Sequence, residues 1–86
     1  MQIPNQLQFY RKHSGFKQSD VARHLGFAST DRISHWEQGQ TFPHILNLFK
    51  LAHLYHVSPK ELYPELYEDT GEMINGLGSK SPPPPE

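Results

Sequence analysis

The chain contains no cysteine, which removes disulfide bonds and thiolate metal sites from consideration. It has no apolar run of about 18 residues, so no membrane-spanning helix is expected. Its opening residues, Met1-Gln2-Ile3-Pro4-Asn5-Gln6, carry neither the basic start nor the apolar stretch of a secretory signal. These absences fit a reducing compartment, and the expected location is the cytoplasm. A surplus of basic charge is missing too: Lys plus Arg is 8, Asp plus Glu is 9, and the net is −1. With 86 residues the expectation is one small domain. A domain of that size buries only about 60% of the surface its unfolded chain exposes, so its stability is marginal.

What is present is a series of short helical signals. The first helix is expected from about Pro4 to His13, with Ile3, Leu7 and Tyr10 at core-facing spacing and Gly15 as a stop. A second is expected over Gln18 to Leu25. Asp20 lies in its first turn, Val21, Ala22 and Leu25 point inward, and Gly26 follows as a left-handed C-terminal residue. A third runs from about Thr30 to Gln38, with Ser29 as N-cap, Asp31 in the first turn, Ile33 and Trp36 inward, and Gly39 at the end. A fourth spans about Pro43 to Tyr55. Ile45, Leu48, Leu51, Ala52 and Tyr55 form its inward stripe, while Leu46, Phe49 and Leu54 lie off it. The fifth opens on the capping box Ser58-Pro59-Lys60-Glu61 and is ended or kinked at Pro64, with one more turn over Glu65-Leu66-Tyr67.

Two short helices around a glycine-opened corner, Lys17 to Gly26 and Ser29 to Gly39, have the layout of a helix-turn-helix that reads DNA. The charge fits this better when the chain is divided. Residues 1–67 carry Arg11, Lys12, Lys17, Arg23, Arg32, Lys50 and Lys60 against Asp20, Asp31, Glu37, Glu61 and Glu65, and the acidic surplus lies beyond them. Weak non-specific DNA binding is the expectation, because phosphate contacts supply that term.

The chain resembles the Xre/Cro-type, phage-repressor-like helix-turn-helix proteins. The landmarks run in order from Leu7 to Tyr63: Tyr10-Arg11, Gly15-Phe16-Lys17-Gln18, Val21-Ala22, Leu25-Gly26, Ile33-Ser34-x-Trp36-Glu37-x-Gly39, Pro43, Leu51-Ala52 and Val57-Ser58-Pro59-x-Glu61-Leu62. The resemblance implies an all-α, compact five-helix bundle of the lambda-repressor-like DNA-binding type, with its third helix in the major groove. It implies that Gln18 bonds a phosphate and braces the start of that helix, and that Arg11 pairs with Glu37. One departure is a turn one residue longer than usual, since Phe27, Ala28 and Ser29 precede Thr30.

Thr30, Asp31, Ser34 and His35 are the base-reading candidates, with an ordinary solvated helix face as the alternative. Asp31 has a choice of roles: accepting from a cytosine amino group, or simply favouring the helix N-terminus. Lys17, Gln18, Arg32, Gln38, Gln40, Thr41 and His44 are the phosphate-contact candidates, because they flank the third helix. Arg32 has a base or Asp31 as further options. His44, His53 and His56 do not make a full zinc ligand spacing, so no metal and no cofactor is expected. No nucleophile motif is present, and an enzyme is not expected.

Leu46, Phe49, Leu62, Tyr63, Leu66 and Tyr67 are the expected homodimer interface, the alternative being a completed monomer core. The domain is expected to span residues 1–68. Residues 69–86 are expected to form a flexible Gly/Ser/Pro-rich tail ending in Pro82-Pro83-Pro84-Pro85-Glu86, either a contact for a regulatory protein partner or a passive end. The sequence therefore reads as a sequence-specific DNA-binding transcriptional regulator, a repressor that reads a pseudo-palindromic operator through its third helix in the major groove, with double-stranded DNA as its partner and no membrane. The other reading is a protein-interaction module on the same fold without a specific DNA site.

Overall fold

The computed structural model describes residues 2–77. It is all-helical, with α1 (Leu7–His13), α2 (Gln18–Leu25), α3 (Asp31–Glu37), α4 (Ile45–Tyr55), α5 (Pro59–Leu62) and α6 (Pro64–Leu77). Six helices replace the expected five, because the chain restarts a helix at Pro64 instead of stopping there. Tyr63 has left helical geometry at φ −132°, and Pro64 then takes the first helical position, where its missing N–H costs nothing. The helix continues through Gly71 to Leu77, and so covers residues 69–77 of the expected tail. The rest of that tail, 78–86, lies outside the described residues.

Local signals set most boundaries. The Asp20 carboxylate accepts from the Lys17 backbone N–H at 2.9 Å and holds the start of α2. Gly26 ends that helix at φ +81°, a conformation that costs other residues about 1–2 kcal/mol. At α5, Glu61 accepts from the Ser58 backbone N–H at 2.7 Å, closing the box that the sequence announces. Thr30, not Ser29, is the N-cap residue of α3, although the Ser29 hydroxyl still accepts from the Asp31 N–H at 3.4 Å.

The N-terminal segment departs from expectation. Residues 2–6 are not helical but form a strap across the body. Ile3 N–H donates to Gly39 at 2.8 Å, and Gln6 N–H donates to Leu62 at 2.8 Å. Asn5 Oδ1 then accepts from Leu7 N–H at 3.0 Å and opens α1. Pro4 and Ile3 thus belong to this strap.

The core joins Leu7, Val21, Ala22, Leu25, Ile33, Trp36, Leu51, Ala52, Tyr55, Leu62 and Tyr63. Small Ala22 lies on α2, which packs against α3, while α1 packs on α3 and α5 on both α4 and α6. Leu62 and Tyr63, expected at a dimer interface, are 0% and 4% exposed and belong to this monomer core. Apolar burial of this kind contributes about 25 cal/mol per Å², which is why such residues are spent inside. Ile45, expected on the inward stripe of α4, is instead exposed, as are Leu46 and Phe49. α4 turns Leu51, Ala52 and Tyr55 inward and leaves the N-terminal apolar residues outside.

Candidate nucleic-acid interface

α2, the turn 26–30 and α3 form a corner whose outer face belongs to α3. Two sets of interactions hold α3 in place. The first is a buried polar cluster at its C-terminal end. Arg11 Nε donates to Glu37 Oε2 at 2.6 Å, and Arg11 Nη2 donates to Glu37 Oε1 at 3.1 Å. Gln18 Nε2 donates to the same Oε1 at 3.0 Å, and Arg11 Nη1 reaches the Phe16 carbonyl at 3.0 Å. The hydrogen bond to Glu37 keeps the Arg11 guanidinium more firmly protonated than usual, against the opposing effect of burial. A bidentate pair of this geometry is stronger and more directional than a single charged contact. Gln18 therefore braces the end of α3 where the resemblance implied the start.

The second set is the N-terminal strap. Asn5 Nδ2 donates to the carbonyls of Ile3 at 3.0 Å and Trp36 at 3.1 Å, and also lies 3.4 Å from that of Glu37. Gly39, at φ +75°, lets Ile3 pass so closely that an added Cβ would lie 2.5 Å from the Ile3 oxygen. Carbonyls at the end of α3 are thereby satisfied by side chain and strap instead of water. Sequence reasoning missed this clamp. No local signal announces it: Asn5 falls inside the stretch expected as the first helix, and the N-cap of α1 is Gln6.

The outer face carries the sequence-derived candidates in varied settings. Asp31 and His35 are exposed and one turn apart on α3. Thr30 and Ser34 are half-buried. Ser34 Oγ accepts from Gln38 Nε2 at 3.0 Å, and Gln38 Oε1 accepts from Gln40 Nε2 at 2.7 Å, so these three form one polar ridge. Arg32 is exposed with its guanidinium 4.8 Å from the Phe27 ring, and Phe27 in turn meets the Trp36 ring edge-on at 5.8 Å. That stack fixes Arg32 beside the longer turn. Lys17 and Thr41 are exposed, and exposed His44 accepts from Leu46 N–H at 3.3 Å as the N-cap of α4. Gln18 is the candidate drawn inward, to Glu37. Exposed Arg23 is paired with Asp20 at 2.8 Å. The Asp20 carboxyl is held below its usual range, mainly by the Lys17 backbone N–H and further by Arg23.

Among the described residues no group of three or more His, Asp or Glu side chains is placed to hold a metal ion. No helix among them is long and apolar enough to cross a membrane.

Two helices packed around a left-handed glycine turn, with the second helix locked at its far end and its outer face free, define a helix-turn-helix protein. The sequence profile of the helix-turn-helix domain family matches residues 5–66, most of the chain, and the chain belongs to that family. Among solved structures it is similar to the crystal structure of a candidate DNA-binding protein from Bacteroides fragilis. The two share 26% identity and a TM-score of 0.61, over 67% of this chain and 92% of that one. No curated protein sequence matches it significantly.

Proposed function

We propose that this chain is a sequence-specific, DNA-binding transcriptional regulator of the Xre/Cro type, a cytoplasmic repressor and not an enzyme. The observation that carries the reading is the fixing of α3. Its C-terminal end is bound by Arg11, Gln18 and Asn5 and its inner side by the buried Ile33 and Trp36, while Asp31, Ser34 and His35 have no core role. A rigid helix with a free polar face is what base readout requires. Asp31, Ser34 and His35 read bases, with Thr30 at the edge of the set. Lys17, Arg32, Gln38, Gln40, Thr41 and His44 hold phosphates on either side.

A second copy completes the reading. Two recognition helices about 34 Å apart would read a pseudo-palindrome and double the phosphate contacts of a weakly charged domain. The exposed Ile45, Leu46 and Phe49 of α4, together with Met73 and Ile74 of α6, are the apolar surface available for it. The candidate-DNA-binding relative and the family match support the DNA reading.

The test is selection from a random duplex library followed by titration at two salt concentrations. One sequence class should be enriched. With Lys17 and Arg32 of each copy neutralising about four phosphates in the dimer, affinity should fall by roughly 10²-fold between about 50 and 200 mM salt. His35→Ala should weaken specific binding far more than non-specific binding. If no sequence is enriched, the exposed apolar surface of α4 and α6 favours the other reading, a protein-interaction module.

A further inference from the structure

Between the start of α4 and the first turns of α6 lies an open apolar groove of about 220 Å³. Its walls include Phe42, Tyr63, Leu66 and Tyr67, and Lys60 stands at the rim. Phe42 and Tyr63 stack with centroids 4.7 Å apart, and the Lys60 ammonium lies 5.6 Å over the Tyr67 ring. Tyr67 is 60% exposed, so a large aromatic face is left to solvent. The groove is smaller than the roughly 300–1,000 Å³ of small-molecule sites. Glu65, Glu68, Asp69 and Glu72, on the same helix, disfavour a polyanion there.

We infer that this groove takes the chain's own Pro82–Pro85 segment. Flat aromatic walls are what a polyproline strand docks against, since its rings pack on them and its backbone offers carbonyls but no N–H. The reach is sufficient. From Thr70 to Leu77 the helix rises about 10 Å, and Gly78-Ser79-Lys80-Ser81 spans up to about 13 Å when extended. Pro82 can therefore return to the level of Thr70, and four prolines at about 3.1 Å each run on toward Tyr63. Charge agrees with that direction: Lys80 passes the acids of α6, and Glu86 arrives at Lys60. Tethering supplies the high effective concentration that a small groove needs.

The experiment is NMR on the full chain, beside Pro83→Ser/Pro84→Ser and Tyr67→Ala variants. Tyr67 is exposed and the core is built from residues between 7 and 63, so neither variant removes a core side chain. The native chain should show contacts from prolyl δ-protons to the Phe42 and Tyr67 rings, independent of dilution. The proline variant should shift the amides of Phe42, Lys60, Tyr67 and Thr70 while leaving Val21 and Leu25 unmoved. Tyr67→Ala should turn the heteronuclear NOE of the Glu86 amide from positive to negative. Unchanged groove amides in the proline variant overturn the inference. So do groove contacts that vanish on dilution, which would assign the groove to a second copy.

Discussion

Replacing Glu37 by Ala tests the mounting of α3 directly. The Arg11 and Glu37 side chains are 9% and 5% accessible, so removing the carboxylate leaves a guanidinium stranded in the interior. Breaking one side of a buried pair costs about 3–5 kcal/mol. Gln18 loses its acceptor as well, which adds on the order of 1 kcal/mol. At roughly 0.05–0.15 kcal/mol per residue, a chain this size has about 4–13 kcal/mol in all. Glu37→Ala should therefore remove a large share of the stability, and at the lower end would unfold the protein. The assay is urea unfolding followed by far-ultraviolet circular dichroism and Trp36 fluorescence, at low and high salt. Because the pair is buried, salt should change the loss little. Arg11→Met/Glu37→Leu, which removes both charges, should recover most of the loss, since an apolar replacement of a buried pair is often neutral. A loss below about 1 kcal/mol, the range of surface pairs, would refute the argument. So would strict additivity of the two single substitutions, because residues sharing a hydrogen bond should be coupled.

Gly39→Ala should cost more than Gly26→Ala in thermal melts. Both have positive φ, but only at Gly39 does a Cβ meet backbone, at 2.5 Å from Ile3, and the Ile3 amide should also lose hydrogen-exchange protection. Equal losses would mean the strap gives way freely. At alkaline pH, burial pushes the Tyr63 hydroxyl up to about 12 and raises that of Tyr55 too. The folded state then holds protons that the unfolded chain releases near pH 10, so stability is full below about pH 10 and falls as pH rises toward 12. Tyr63→Phe should flatten that fall in urea titrations, and an unaltered slope would remove Tyr63 as a cause. Phe49→Glu should give monomers in analytical ultracentrifugation with the circular dichroism spectrum intact. An unchanged mass would take α4 out of the proposed dimer.

The parts of this fold that were legible in the sequence are those decided within a few residues. The α2 boundaries follow from Asp20 and Gly26, and the start of α5 from Ser58, Pro59 and Glu61. What was hidden depends on distant partners. Asn5 serves the end of α3, 31 residues away, and nothing near it announces that role. Which side of an apolar α4 turns inward was likewise open, and the packing chose to leave Ile45 outside. The continuation of α6 was obscured by Gly71, which falls within the expected tail 69–86. An isolated helical glycine costs only about 1 kcal/mol relative to alanine, too little to stop a helix that Pro64 and Glu65 begin well.

The near-neutral charge becomes easier to interpret once the partners are known. Arg11 is compensated by Glu37, and Arg23 by Asp20. Within residues 1–67 that leaves Lys12, Lys17, Arg32, Lys50 and Lys60 against Asp31, Glu61 and Glu65. Glu61 and Glu65 belong to α5 and α6, so Asp31 is the one uncompensated acid on α2 or α3. Low net charge thus does not mean an acidic reading face, because field strength depends on where the charges lie. It also explains why the proposed base-reading residues are the least legible. Glu37 and Gly39 are dictated by partners inside the fold, and the Asp31 and His35 side chains have none among the described residues, so under the proposed function their complement lies in the DNA.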